Sequence, residues 1–290
     1  MTSTTRKAAQ GARRASTDHE GFLRLAGFRW LKIALVISLI AIIGYIIADI
    51  QPRPNGGSWY GYALGTIGAG LIVWLALLGV RKRAMTPGGW SLKAWTSAHV
   101  YLGLALIVIG TLHTGFQLGW NVHSLAYLLM LLVIGSGIFG IVVYSALPSV
   151  LSANREEMTE AQMVDGIAAV DRQLHEAAQP LAQADAERVL AALNEDPFAQ
   201  GLWRRLSGRY RGGATELAIA GCDSAGPVPT DPAIARVEAL LRRRKAQLDR
   251  MRRHLRLKAL LEVWLFVHVP ATFALLAALT AHIISVFYYW

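Results

Sequence analysis

No Asp, Glu, Lys or Arg occurs between Ala94 and Asn154, or between Pro54 and Val80. Stretches of that length and composition have no solvated face to offer water. Crossing a bilayer takes about 20 apolar residues. Inside lipid every backbone N–H and C=O must be satisfied internally, so an apolar run that does not alternate has to be a helix. Five segments qualify: 30–50, 58–80, 95–116, 123–147 and 262–289. The expected fold is an all-α integral membrane protein: five transmembrane helices in a bundle, with a cytoplasmic, mainly helical insert before the last helix. Composition fits only in this light. The chain is 54% hydrophobic yet carries 29 Lys+Arg against 19 Asp+Glu, a net charge of +10. In a soluble domain those values conflict; segregated along the chain they do not. A purely soluble enzyme is excluded, and the basic excess reads as membrane topology rather than nucleic-acid binding.

The expected organisation is a basic cytoplasmic segment over 1–29, transmembrane helices one to four over 30–148, an insert over 149–258 and transmembrane helix five over 259–290. The first apolar run is too long for a signal-peptide core, and no small-residue cleavage site closes it, so it is expected to stay as a span. With the N-terminus inside, Arg6, Lys7, Arg13, Arg14, Arg24, Arg29 and Lys32 lie on the inner side with Arg81, Lys82, Arg83 and Lys93, as does the insert; only Arg53 lies outside. Short basic flanks on one side are what the positive-inside rule weighs most. The expected setting is a bacterial inner membrane, with the N-terminus cytoplasmic and the C-terminus periplasmic behind an aromatic anchor of Tyr288, Tyr289 and Trp290.

The insert is itself asymmetric. From Ser149 to Gln200 three arginines stand against ten acids, whereas Arg242–Lys258 has nine basic residues against Asp249. Thr159–Glu176 and Ala184–Asn194 have helical periodicity, and Gly212, Gly213, Gly221, Gly226, Pro227 and Pro229 mark an irregular middle. Thr230, Asp231 and Pro232 then read as a helix start. Ile234, Val237, Leu241, Leu248, Met251 and Leu255 form an apolar stripe. With no breaker before span five, one long helix is expected. Its arginine run reads either as an anchor at anionic headgroups or as a docking face for a soluble partner.

Cys222 is the single cysteine. That removes a disulfide framework, a cysteine zinc site, an iron–sulfur cluster built on this chain alone and a C-x-x-C-H haem attachment. The chemistry sits instead in four intramembrane histidines. His99 and His113 are 14 residues apart in span three, and His268 and His282 are 14 apart in span five. On a helix, 14 residues rise about 21 Å and return to nearly the same face, about 40° away. Spans three and five run parallel in the topology above. His99 therefore matches His268 in depth, and His113 matches His282. Two facing imidazoles at each depth suit iron in a flat macrocycle, since neutral imidazole is a common haem ligand. Ionisable residues in spans are rare and usually functional. A metal-ion channel or proton relay is the alternative. A relay would be expected to include buried carboxylates, and spans three and four contain none.

On His99-x13-His113 and His268-x13-His282 the chain resembles the membrane di-haem cytochromes b, a broad group that includes the ferric-reductase-like transmembrane domains. The likeness covers spans three to five. It implies two haem b groups with axial pairs His99–His268 and His113–His282, and a quinone as a further small-molecule partner. The Pro-Glu-Trp-Tyr quinol-site signature of the larger quinol-oxidising cytochromes b is not present, nor is a G-x-G-x-x-G dinucleotide motif after a strand.

Other residues carry weaker expectations. Gly103, Gly110, Gly135, Gly137 and Gly140 allow close approach of a porphyrin or, equally, of a neighbouring helix. Pro270 should kink span five. Thr96, Thr111, Thr114 and Thr272 either orient ligand imidazoles or bond their own helix backbone. Haem propionates would find Lys32, Arg81, Lys82 and Arg83 inside, and Arg53, Gln117 and Asn121 outside; snorkelling explains the same cations. His123 is the rival ligand at the outer surface, or an interfacial histidine. Asp49 and Glu262, at opposite membrane edges, are candidate proton carriers for a quinone, or solvated helix-end carboxylates.

Two haems stacked across a bilayer would pass electrons over a ligand spacing of roughly 21 Å. The expected role is an electron-transfer subunit of an oxidoreductase complex. Its partners would be a cytoplasmic-side redox protein, iron–sulfur proteins included, a periplasmic cytochrome or quinone, other subunits and membrane lipids, with no nucleic acid. Two alternatives remain: a self-contained quinol or metal-ion transmembrane reductase, and a haem-free membrane scaffold or transporter subunit.

Overall fold

The computed structural model describes residues 21–48, 55–83, 90–152, 160–196, 198–199, 201–208, 210, 212–223 and 231–288, with only the backbone described over 145–152. Expectations placed on 1–20, Asp49, Arg53, Thr159, Gly226, Pro227, Pro229, Thr230, Tyr289 and Trp290 lie outside the described residues. Every regular element among the described residues is helical. The long helices are α1 (Leu25–Ile47), α2 (Trp59–Arg83), α3 (Leu92–Thr114), α4 (Val122–Ser152) and α9 (Pro232–Tyr288). Each is long and apolar enough to cross a membrane. The short ones are α5 (Glu160–Ala178), α6 (Gln183–Leu193), α7 (Leu202–Ser207) and α8 (Ala214–Asp223). This is the all-α architecture of a multi-pass membrane protein.

The chain divides into two compact units: Met1–Ile138 with Val267–Trp290, and Phe139–Phe266. In the first unit α3 is the most deeply buried helix. Ala98, Tyr101, Leu102, Ala105, Leu106, Ile109 and Leu112 recur at three- and four-residue steps on its buried face. α1 and α2 pack against it. Tyr101 Oη donates to the Leu23 carbonyl at 2.9 Å, and Tyr60 Oη donates to the Ala41 carbonyl at 2.7 Å. These bonds tie α1 to α2, and the turn just before α1 to α3. Ile40, Ile46, Leu128 and Phe273 are exposed, as suits faces turned to lipid.

The ends of α3 are set locally. Ser91 Oγ accepts from the Ala94 amide at its start. At its end Gly115 adopts φ 58°, a left-handed C-cap that glycine enters without Cβ strain. After a short loop, Asn121 Oδ1 caps α4 by accepting from the Ser124 amide at 2.9 Å, and Ser124 Oγ accepts from the Gly119 amide at 2.9 Å. At the start of α1, Ala26, Gly27 and Phe28 are left-handed, so regular helix begins only beyond them.

In the second unit the expected stripe on α9 is the core. Val237 and Leu241 pack with Leu174, Val189, Ala192, Ala218 and Ile219. Leu248, Met251 and Leu255 pack with Ile167. Asp231 Oδ1 accepts from the Ala233 amide, capping a helix whose first residue is Pro232. α9 then runs through Pro270 as one helix to Tyr288. The arginine run does not present all its cations to a surface. Arg244 is 1% exposed and Arg252 is 7% exposed. Arg244 lies on the stripe between Leu241 and Leu248. It donates to Asp171 Oδ1 and Thr215 Oγ1, both at 2.7 Å. Arg252 donates to Glu195 Oε1 and lies over the Tyr210 ring. A buried guanidinium persists when its charge is paired, as both are here, with Asp171 and Glu195.

A paired-histidine candidate site

His99, His113, His268 and His282 all belong to the first unit, and they come together in two pairs. His99 of α3 faces His268 of α9 with ring centroids 6.5 Å apart and an interplanar angle of 62°. His113 of α3 faces His282 of α9 at 5.9 Å and 82°.

The tautomers follow from the hydrogen-bond partners. His99 Nδ1 lies 3.1 Å from the Leu75 carbonyl and His113 Nδ1 lies 2.8 Å from the Gly61 carbonyl, both on α2. A carbonyl oxygen only accepts, so both Nδ1 atoms carry the proton and both Nε2 atoms carry a lone pair. His268 Nδ1 is 2.8 Å from Ser136 Oγ on α4. That hydroxyl donates its single proton to the Val133 carbonyl at 2.8 Å. It therefore accepts from His268, whose lone pair is again on Nε2. His282 differs: its Nδ1 meets Nδ1 of His123, at the start of α4.

The two acceptor positions on α2, Gly61 and Leu75, are 14 residues apart, as His99 and His113 are. The antiparallel helix thus repeats the ligand spacing of α3. Close approach at the second pair depends on Gly65, where a Cβ would stand 2.7 Å from His113 Cε1. Midway between the pairs, seven residues from each histidine, lie Leu106 and Leu275. Both are buried, in one cluster with Ala98, Leu102 and Met130. An apolar layer of this kind offers no partner to a water or a proton between the two levels.

Comparison with known protein families, curated proteins and solved structures returns no match to this chain.

Two imidazoles bound on opposite faces of one metal have centroids about 6.4 Å apart, given roughly 2 Å per metal–nitrogen bond and about 1.2 Å from each nitrogen to its ring centre. The observed 6.5 and 5.9 Å fit that span. Nδ1 donating to protein while Nε2 remains for metal is the usual arrangement of ligating histidine. Among the described residues no three His, Cys, Asp or Glu side chains gather as a closed metal site would need. A porphyrin supplies four equatorial nitrogens and asks the protein for only two axial ones. The residues present fit a haem at each pair.

The other expectations divide. Thr96, Thr114 and Thr272 hydroxyls donate to Leu92, Thr111 and His268 carbonyls, and Thr111 donates to the Ile107 carbonyl with Tyr127 Oη close by. These are bonds to the helix's own backbone, not to imidazoles. A Cβ on Gly137 would stand 3.6 Å from His268 Cε1, and one on Gly110 would meet Met130, whereas Gly103 and Gly135 have open space. Asn121, an expected propionate donor, uses its side-chain oxygen to cap α4. Arg81 reaches the Trp90 carbonyl. Glu262 is exposed on α9, in the second unit.

Residues not anticipated are the α2 carbonyls, Gly65 and Ser136. The Gly61-x3-Gly65 pair on the preceding span was the available signal. A tryptophan cluster also adjoins the His99 end. Trp95, one turn before His99, stacks on Trp74 at 4.8 Å, and Trp90 packs against both and against Trp30.

Proposed function

We propose that this chain is a di-haem b-type cytochrome subunit. It carries electrons across a membrane between a cytoplasmic-side redox partner and a quinone or periplasmic redox protein. The observation that carries the reading is the double pair: two facing imidazole couples at axial spacing, with at least three of the four Nδ1 protons held by protein acceptors. His99 and His268 would hold the inner haem, and His113 and His282 the outer one. When bound, haem iron supplies one-electron exchange between ferric and ferrous states. The chain's own groups do the rest. Leu75, Gly61 and Ser136 orient the imidazoles. Leu106 and Leu275 keep the space between the levels apolar.

The proposed setting is a bacterial inner membrane; the one-sided basic flanks support an N-terminus on the cytoplasmic side and a C-terminus on the periplasmic side. The proposed partners are a cytoplasmic-side redox protein, iron–sulfur proteins included, and a periplasmic cytochrome or quinone.

Purified protein tests this directly. A reduced-minus-oxidised spectrum with b-type bands and a pyridine haemochrome near two per chain is expected. A haemochrome near zero overturns the reading in favour of a haem-free scaffold. Oxidation of a quinol analogue without any partner would move the function to a self-contained reductase.

A further inference from the structure

His123 is not a member of either facing pair, yet it lies against one. Its ring centroid is 4.5 Å from that of His282, at 89°, with Nδ1 against Nδ1. That separation is far short of the about 6.4 Å that two imidazoles need across one metal. His123 is therefore not the opposite ligand to His282. His113 stands at 5.9 Å and is.

A contact between two Nδ1 atoms holds one proton, and its side matters. If His123 donates, His282 has its proton on Nε2 and no lone pair there for a metal. If His282 donates, its Nε2 is available and His123 is the acceptor. His99, His113 and His268 have the second arrangement, each donating through Nδ1 to an oxygen. The position of His123 is also built rather than incidental. It sits in the first turn of α4, between the Asn121 cap and Ser124, whose hydroxyl closes the preceding loop.

We infer that His123 is the positioning residue of the second pair: it accepts the Nδ1 proton of His282, fixes the tautomer that presents Nε2 to iron, and sets the potential of that haem. This rests on the di-haem reading. An acceptor at Nδ1 makes the imidazole a stronger donor to metal, which favours ferric iron.

The test uses the full chain, purified with its haems, and reads haem content and the midpoint potential of each spectral component. His123→Leu removes the acceptor. The second component's ferric/ferrous equilibrium should shift about tenfold toward ferrous, about 59 mV upward for one electron. The component of the His99–His268 pair should not move. His123→Asn places an amide oxygen where Nδ1 was and should restore most of the shift. Loss of the second haem in His123→Leu with retention in His123→Asn supports the same role. An unchanged second potential in haem-loaded His123→Leu overturns the inference and leaves the di-haem reading standing. So does a His282→Ala variant that keeps the second haem, since His123 would then be the ligand. Absence of haem from the unsubstituted chain removes the underlying reading itself.

Discussion

His113 donates through Nδ1 to the carbonyl oxygen of Gly61 at 2.8 Å. That bond joins a proposed ligand on α3 to a backbone atom on α2. It makes α2 part of the site, although no side chain of that helix was a candidate ligand. Helix carbonyls have a second lone pair beyond the one used along the helix, and a closely packed imidazole can reach it.

The pairing makes the first prediction. His99→Ala and His268→Ala should each remove the same spectral component, and His113→Ala and His282→Ala the other. Low-temperature difference spectra and EPR of the four variants read this. Crossed losses would refute the pairing.

Gly65 supplies a steric test. A Cβ there would lie 2.7 Å from His113 Cε1, whereas one on Gly137 would lie 3.6 Å from His268 Cε1. Gly65→Ala should lower occupancy of the second haem about tenfold. Gly137→Ala should leave the first haem in place. Since alanine favours helix over glycine by about 1 kcal/mol, unfolding of α2 would not explain the loss. Haem-to-protein ratios after purification decide it.

Arg244 holds together the polar core of the second unit. Arg244→Leu leaves Asp171 and Thr215 Oγ1 facing an apolar group and should destabilise that unit by about 3 kcal/mol, at the lower end for breaking a buried pair because Asp171 is partly solvated. Hydrogen exchange across α5, α8 and the first half of α9 should show it. Unchanged protection would mean that the pair adds little.

Glu195 predicts a pH response. Burial pushes its carboxyl pKa up, but the Thr215 amide and hydroxyl and the Arg252 guanidinium outweigh that and hold it below its ordinary 4.5. The folded value is the lower one. Its contribution is therefore full above 4.5 and is lost as pH falls through the folded value. Protection of the Thr215 amide, which donates to Glu195 at 2.9 Å, should fall in that acid window. Glu195→Gln should flatten the response; a response that persists in that variant assigns it to another group.

Much of this was legible along the chain. Helix class, the five spans, the stripe from Val237 to Leu255 and the 14-residue double spacing all depend on local periodicity, and a helix converts residue number into face and depth without help from neighbours. What remained undetermined was what each side chain meets. Arg244 falls on the stripe's register, but its charge reads as surface until Asp171 and Thr215 are brought to it from elsewhere in the chain. The four threonines were open between imidazole and backbone, and α-helical geometry gave them the nearer carbonyl.

The sequence by itself determined that His99 and His113 share a face, that His268 and His282 share another, and that both helices suit lipid. Only the tertiary structure decided which imidazoles stand 6.5 and 5.9 Å apart, which atoms meet their Nδ1 positions, and that His123 lies against His282. Periodicity is a property of one helix. Proton acceptors such as the Gly61 and Leu75 carbonyls are backbone atoms every residue has, so residue type cannot mark them, and only packing selects them.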